Sequence, residues 1–172
     1  MAKQVKQEPE VIDCSNLLAL DLGTMSTGYA WFVDGKLREH GTIKAKHKDP
    51  WDRIHKIKEE LNFLEFYHFK FTLVIENPFI HAKNAQGRLV TFALHGVIRE
   101  LFYGNNIRGI DNKTWKKLVT GDGDATPEQY KAYIDMEFEV ETDSFDEAAA
   151  IGVGAGFLMT EGNAKGANPY AD

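Results

Sequence analysis

The first third of the chain carries apolar residues in the short runs and alternating patterns that predict β-strands. Residues 16–22 hold the run Leu-Leu-Ala-Leu and are followed by a glycine, a pattern typical of a buried strand and a turn. Residues 29–33 are aromatic and β-branched, and the Asp34-Gly35 pair after them is a strong hairpin signal. Residues 36–43 are the predicted return strand, so we expect three antiparallel strands to open the domain.

In the rest of the chain, apolar residues recur at spacings of three and four, which predicts helices separated by short strands. The predicted order is a helix from Pro50, a strand over 71–75, a helix over 87–103, a strand over 107–110, and helices over 114–119, from Thr126 and over 144–159. This order predicts an α/β fold with a mixed five-stranded sheet, in which three antiparallel strands precede the parallel ones and helices cover both faces. It is the element order of the ribonuclease H-like fold.

The chain of 172 residues has the length of one domain, and its 43% hydrophobic content excludes a disordered protein. We expect a flexible leader over 1–15, a single domain over 16–160 and a loose tail over 161–172. No apolar run approaches the roughly 20 residues that a membrane-spanning helix needs, and residues 1–10 lack the apolar core of a signal peptide. The single cysteine cannot form an intramolecular disulfide. Together these features predict a cytoplasmic protein with no membrane partner.

Acidic residues are concentrated in one stretch of the sequence. The net charge is −6, yet residues 122–147 hold ten carboxylates and one basic residue, so the remainder of the chain carries +3. The segment 36–58 has eight basic and three acidic residues. A mildly basic body with one acidic stretch is compatible with a nucleic-acid partner, which the overall charge at first argues against.

Four carboxylates occupy positions where an α/β sheet collects ligands. Asp21 and Glu76 come at the ends of two predicted core strands, and Asp143 and Asp146 are three residues apart at the start of the last helix. The dipole of that helix would by itself also explain the last two acids. Oxygen ligands suit Mg²⁺ or Mn²⁺, whereas scattered histidines and a lone cysteine argue against zinc. The pattern therefore indicates two-metal hydrolysis of a phosphodiester.

Four segments resemble, in order, the motifs of RuvC-type Holliday junction resolvases, and together they cover about residues 17–157. They are Leu18-Ala-Leu-Asp21-Leu-Gly-Thr-Met-Ser-Thr-Gly-Tyr29, Val74-Ile-Glu76-Asn-Pro-Phe79 with Ala82-Lys83-Asn84, Thr114-Trp-Lys116-Lys-Leu-Val-Thr-Gly121-Asp-Gly123, and Asp143-Ser-Phe-Asp146-Glu-Ala-Ala-Ala-Ile151. Asp-Leu-Gly-Thr alone would be a weak signal, whereas four ordered motifs are specific. Within the family, the chain is most similar to small, divergent phage-type members.

The resemblance implies a homodimer that binds four-way DNA junctions, or other branched DNA, and cuts them by paired symmetrical nicks. It also implies that Asp21, Glu76, Asp143 and Asp146 ligate two Mg²⁺ or Mn²⁺ ions, and that hydrolysis leaves a 5′-phosphate and a 3′-hydroxyl. Lys116 aligns with a family lysine near the scissile phosphate and is a further catalytic candidate. Its alternative is a solvated lysine on a helix.

Candidate DNA contacts come from an aromatic position and from basic and polar residues near these motifs. Phe79 falls at the family position that stacks on bases or wedges between them, with a core phenylalanine as the alternative. The further candidates are Lys83, Asn84, Arg88, Lys113 and Lys117. The wide apolar arc of the helix over 87–103 fits either a dimer face or a central core helix.

Three other functions remain open at this point. The Asp21-Leu-Gly-Thr segment also resembles the phosphate loop of actin-like ATPases and sugar kinases, although those proteins pair two such domains and this chain has room for one. The YqgF-type nucleases, which are linked to RNA processing, share the predicted fold. A catalytically silent junction-binding module is the third alternative, and the presence of all four carboxylates argues against it.

Overall fold

A five-stranded sheet with helices against both faces makes up the described part of the chain, which covers residues 12–64, 70–78 and 85–165 of a computed structural model. In chain order the elements are β1 (Asn16–Leu22), β2 (Ser26–Val33), β3 (Lys36–Lys44), α1 (Pro50–Phe63), β4 (Thr72–Glu76), α2 (Ala85–Leu101), β5 (Asn106–Ile110), α3 (Asn112–Thr120), α4 (Pro127–Glu137) and α5 (Phe145–Lys165). The sheet order is β3-β2-β1-β4-β5, in which β1, β2 and β3 pair antiparallel and β1, β4 and β5 pair parallel. The predicted fold class is therefore confirmed.

The hairpin between β2 and β3 forms at the predicted Asp34-Gly35 turn. Both residues have positive φ angles, 51° and 76°, which is the combination that a type I′ hairpin loop requires. β2 begins at Ser26, earlier than the predicted start at residue 29, because its first residues pair with the end of β1. In this register Gly28 lies directly opposite Asp21.

Alternating side chains of β1 divide the core into two halves. Leu17 and Ala19 pack with residues of α3, α4 and α5 on one face, whereas Leu18 and Leu20 pack with residues of α1 and α2 on the other. By the same alternation, Asp21 belongs to the face that α5 covers. The fold thus places the start of α5 and the end of β1 on the same side of the sheet.

Small residues allow α5 to lie buried between the sheet and α3. A Cβ atom added at Gly152 or Gly156 would meet Trp115, and one added at Gly154 would meet Phe32. The helix continues to Lys165, past the predicted end at residue 159, and residues 166–172 of the predicted tail lie outside the described residues. No helix within the described ranges combines the length and apolarity needed to cross a membrane.

Candidate active site at the ends of β1 and β4

Asp21 and Glu76 lie at adjacent positions near the ends of two parallel strands, on the same face of the sheet. Leu20 of β1 pairs with Ile75 of β4, and each acid is the next residue along its strand. Burial raises the pKa of Asp21 well above its usual value, and the negative charges of Glu76 and Asp146 raise it further. The sheet therefore brings together acids that repel one another when they are charged.

Asp146 reaches this point from the first turn of α5. The helix approaches β2 so closely at Gly28 that a Cβ atom there would overlap the backbone carbonyl of Asp146. Glycine is needed at this position because it alone has no Cβ. The Ser26 hydroxyl donates a hydrogen bond to Asp146 Oδ2. Two residues of β2 thus position Asp146 within electrostatic range of Asp21.

Two residues of α3 hold the Glu76 carboxylate by hydrogen bonds. Asn112 Nδ2 donates to Oε1 and Oε2 at 3.1 and 3.0 Å, and Trp115 Nε1 donates to Oε2 at 2.6 Å. Burial raises the pKa of Glu76, whereas the hydrogen bonds from Trp115 and Asn112 and the charge of Lys116 lower it. Glu76 is therefore a partly buried acid whose charged form is stabilised by α3.

Lys116 brings a positive charge to the same cluster. Its Nζ atom lies 5.8 Å from the centre of the Trp115 ring and 5.1 Å from that of Tyr130, within the range of a cation–π interaction. Its charge lowers the pKa of both Asp21 and Glu76. Tyr130 borders the cluster as well. Burial raises the pKa of its hydroxyl, and the negative charges of Asp21, Asp146 and Glu76 raise it further.

Asp143 lies exposed in the turn that precedes α5, and not on the first turn of the helix. α5 begins at Phe145, and the Ser144 hydroxyl caps it by accepting the N–H of Glu147 at 3.1 Å. Asp143 and Asp146 are predicted to share a face of the last helix. They do not, because Asp143 precedes the helix. The backbone N–H of Asp143 donates instead to Glu147 Oε2 at 2.9 Å.

Two solved structures share this arrangement of strands and helices. A structure of Thermus thermophilus RuvC aligns with a TM-score of 0.62 over 88% of this chain and 96% of that chain, at 16% sequence identity. T. thermophilus RuvC in complex with a Holliday junction substrate aligns with a TM-score of 0.69 over 83% and 92% of the two chains, at 15% identity. The chain has a RuvC-type fold. At these identities the similarity concerns the fold alone, and neither a protein-family model nor a curated protein sequence matches the chain.

The carboxylates of this RuvC-type fold match the chemistry of a divalent cation site. Their donors are oxygen atoms, which hard cations prefer, and a cation would relieve the repulsion that contributes to the raised pKa of Asp21. Among the described residues, no three His, Cys, Asp or Glu side chains are placed closely enough to hold one ion. Glu76 is hydrogen-bonded to α3 and Asp146 to Ser26 in this arrangement. The oxygen donors thus match a divalent cation in their chemistry, while the described carboxylates are not gathered around a single point in this arrangement.

Three of the predicted DNA contacts lie on described helices, and all three are exposed: Arg88 on α2, and Lys113 and Lys117 on α3. Lys113 Nζ lies 2.6 Å from Asp124 Oδ1, and this hydrogen bond raises the pKa of Lys113. An ion pair with both partners this exposed is weak, so a phosphate group can replace Asp124. The remaining predicted contacts fall outside the described residues: Phe79, Lys83 and Asn84.

The sequence motifs do not reveal two features of the site. One is the polar contact of the buried Glu147 with His40, and the other is the pair of α3 donors to Glu76. The Glu147 side chain is 6% exposed, and its Oε1 atom lies 2.5 Å from His40 Nδ1 on β3. Asn112 and Trp115 reach Glu76 from more than thirty residues away in the chain. The one local signal is the Ser-x-x-Glu spacing over 144–147, which is typical of a helix start.

Proposed function

We propose that the protein is a structure-selective DNA endonuclease that resolves four-way junctions, and other branched DNA, by paired symmetrical nicks. The observation that carries this proposal is the cluster of Asp21, Glu76 and Asp146 on a RuvC-type fold. An acid whose pKa is raised by burial and by neighbouring carboxylates, as that of Asp21 is, is typical of a functional site. One of the similar RuvC structures is a complex with a Holliday junction substrate, which supports branched DNA as the substrate class.

In this proposal Asp21, Glu76 and Asp146, joined by Asp143 from the adjoining turn, hold two Mg²⁺ or Mn²⁺ ions. Such ions, once bound, activate a water molecule and stabilise the charge on the leaving oxygen. The protein itself orients Glu76 and Asp146 through their hydrogen bonds, and the hydrogen bonds on Glu76 act to lower its pKa. Hydrolysis would give a 5′-phosphate and a 3′-hydroxyl.

Lys116 has the role of attracting the scissile phosphate and stabilising its developing negative charge. The positive charge of Lys116 lowers the pKa of both Asp21 and Glu76. This effect supports the role, because it means that the Lys116 charge acts within the cluster. The proposed contacts with neighbouring phosphates and bases come from Phe79, Lys83, Asn84, Arg88, Lys113 and Lys117. Phosphate contacts of this kind position the DNA without reading its sequence.

A homodimer would supply the two active sites that paired nicks require. One face of α2 is buried through Val90, Leu94 and Ile98, whereas Leu89 and Phe92 are 62% and 47% exposed. Exposed apolar side chains on one helix are typical of an interaction surface. We therefore include a two-fold symmetric dimer through α2 in the proposal.

Cleavage of labelled substrates distinguishes this function from its alternatives. The protein is incubated with a four-way junction, a linear duplex of the same sequence and a structured RNA, each in Mg²⁺ and in EDTA. We expect paired nicks at symmetrical positions of the junction in Mg²⁺ and no cleavage in EDTA. Preferential cleavage of the RNA would favour an RNA-processing nuclease, and ATP turnover without DNA cleavage would favour an ATPase. Full activity in EDTA would exclude the metal-dependent mechanism.

A further inference from the structure

The Trp115 side chain is fully buried, and its ring is fixed by the residues around it. Gly152 of α5 makes room for the ring, since a Cβ atom there would collide with it, and Gly156 makes room in the same way for the Cβ atom and backbone of Trp115. The Tyr130 ring meets the indole edge-on, with ring centroids 5.2 Å apart. Interiors packed in this way leave a large ring little freedom to turn, so the direction of the indole N–H is set by packing.

The indole N–H donates to the carboxylate of a proposed metal ligand. Its hydrogen bond to Glu76 Oε2 measures 2.6 Å, just below the roughly 2.7–2.9 Å of charge-assisted N–H···O hydrogen bonds. Asn112 Nδ2 donates to both oxygens, so Oε2 accepts two of these hydrogen bonds and Oε1 accepts one. A carboxylate offers about four lone-pair positions in all. The larger unused acceptor capacity is therefore at Oε1.

We propose that Trp115 is a positioning residue that holds the Glu76 carboxylate so that Oε1 is available to a divalent cation. This inference rests on the proposed function, because it takes Glu76 as a metal ligand. Ligands of protein metal sites are commonly oriented by hydrogen bonds from residues that do not touch the metal, and losing such a partner typically weakens metal affinity by about 10–100-fold. Trp115 acts from inside the core, so it couples the orientation of Glu76 to the packing of α3 against α5.

Trp115→Phe tests the role directly, because it leaves a large ring in the same place and removes the N–H. Mn²⁺ affinity is measured without DNA, from the electron paramagnetic resonance signal of the free ion. We expect affinity to fall roughly 10–100-fold, with binding of a four-way junction in EDTA unchanged. Trp31→Phe is the matched control, since Trp31 is also buried but packs against Phe71 in the other half of the core. An affinity within about twofold of the wild type, or an equal loss in Trp31→Phe, would overturn the inference.

A second measurement leaves Trp115 intact and so does not depend on the folding of Trp115→Phe. In the double variant Trp31→Phe/Trp51→Phe, Trp115 is the one tryptophan left of three, and its fluorescence reports the environment of the indole N–H. We expect Mg²⁺ to shift the emission with the same midpoint as Mg²⁺ binding measured by calorimetry. An emission spectrum that is unchanged at saturating Mg²⁺ would contradict the role of Trp115.

Glu76→Ala separates a failure of this inference from a failure of the proposed function. We expect Glu76→Ala to bind Mn²⁺ much more weakly than Trp115→Phe does. Wild-type affinity in Glu76→Ala would show that Glu76 is not a ligand, so that the proposed metal site itself is wrong. Lost affinity in Glu76→Ala together with normal affinity in Trp115→Phe would reject the positioning role alone.

Discussion

Asp21 lies at a position of the candidate site that disfavours the charged form of its own side chain. Burial and the charges of Glu76 and Asp146 raise its pKa, and the charge of Lys116 acts in the opposite direction. Functional sites commonly retain such unfavourable placements, while the rest of the protein supplies the stability. A cation bound among these carboxylates would turn their mutual repulsion into attraction.

Replacing Asp21 by Asn should therefore stabilise the cation-free protein at neutral pH. The folded-state pKa of Asp21 lies above the ordinary value of 3.8. At pH values between the ordinary and the raised pKa, the folded state keeps a proton that the unfolded state has lost. Stability contributed by this group decreases as the pH rises from about 4 through the raised pKa, and Asp21→Asn removes that decrease. In thermal melts in EDTA, we expect Asp21→Asn to melt several degrees above the wild type at pH 8, where about 1 kcal/mol corresponds to 2–4 °C.

The gap in melting temperature should narrow at pH 4, because Asp21 is then protonated in the folded wild type. Glu137→Gln, which removes a carboxylate at an exposed position of α4, is the matched control for the loss of one negative charge. Mg²⁺ should raise the melting temperature of the wild type but not that of Asp21→Asn. Coinciding melts of wild type and Asp21→Asn at both pH values would contradict the raised pKa.

At the scale of secondary-structure elements, the site depends on how closely α5 approaches β2. The contact at Gly28 involves the backbone of α5, which cannot move without displacing Asp146. The next strand offers a useful contrast, because a Cβ atom at Gly41 would meet the tip of the Tyr29 side chain. A side-chain tip can rotate away, whereas a helix start held by a cap cannot.

Gly28→Ala should consequently destabilise the protein more than Gly41→Ala does. Overpacking against a rigid neighbour costs about 1–3 kcal/mol, and the displaced α5 would carry Asp146 away from Asp21. We expect Gly28→Ala to lower the midpoint of urea unfolding and to lose junction cleavage, whereas Gly41→Ala keeps most of its stability and activity. Equal unfolding midpoints for the two variants would mean that the approach of α5 to β2 is not tight.

The elements themselves could be predicted because their signals are local. Apolar spacing, the Asp34-Gly35 turn and the Thr126-Pro127 helix start each act within a few residues, and each is found in the structure. The partners of the acids could not be predicted in this way. The hydrogen bond from Trp115 to Glu76 joins residues 39 positions apart, and it depends on how α3 packs against α5. The sequence motifs therefore predict the acids of the candidate site, but not the side chains that hydrogen-bond to them.

Across the molecule as a unit, part of the acidity is engaged in contacts within the protein. The acid-rich stretch over 122–147 includes Asp146 in the candidate site and the buried Glu147. It also includes Asp135, which accepts a hydrogen bond from Lys131 at 2.5 Å. The remainder of the chain, with its charge of +3, is then available to DNA phosphates. The net charge of −6 is compatible with a DNA substrate for this reason.

Asp146→Asn tests whether the acids at the ends of β1 and β4 and at the start of α5 form a nuclease site. The variant keeps the shape of the side chain and loses its charge. Its cleavage of a labelled four-way junction in Mg²⁺, and its binding of the same junction in EDTA, are each compared with the wild type. Loss of several kcal/mol of transition-state stabilisation predicts a rate at least about 10³-fold lower, with binding unchanged. Cleavage at the wild-type rate by Asp146→Asn would show that the protein does not cut DNA through this cluster of acids.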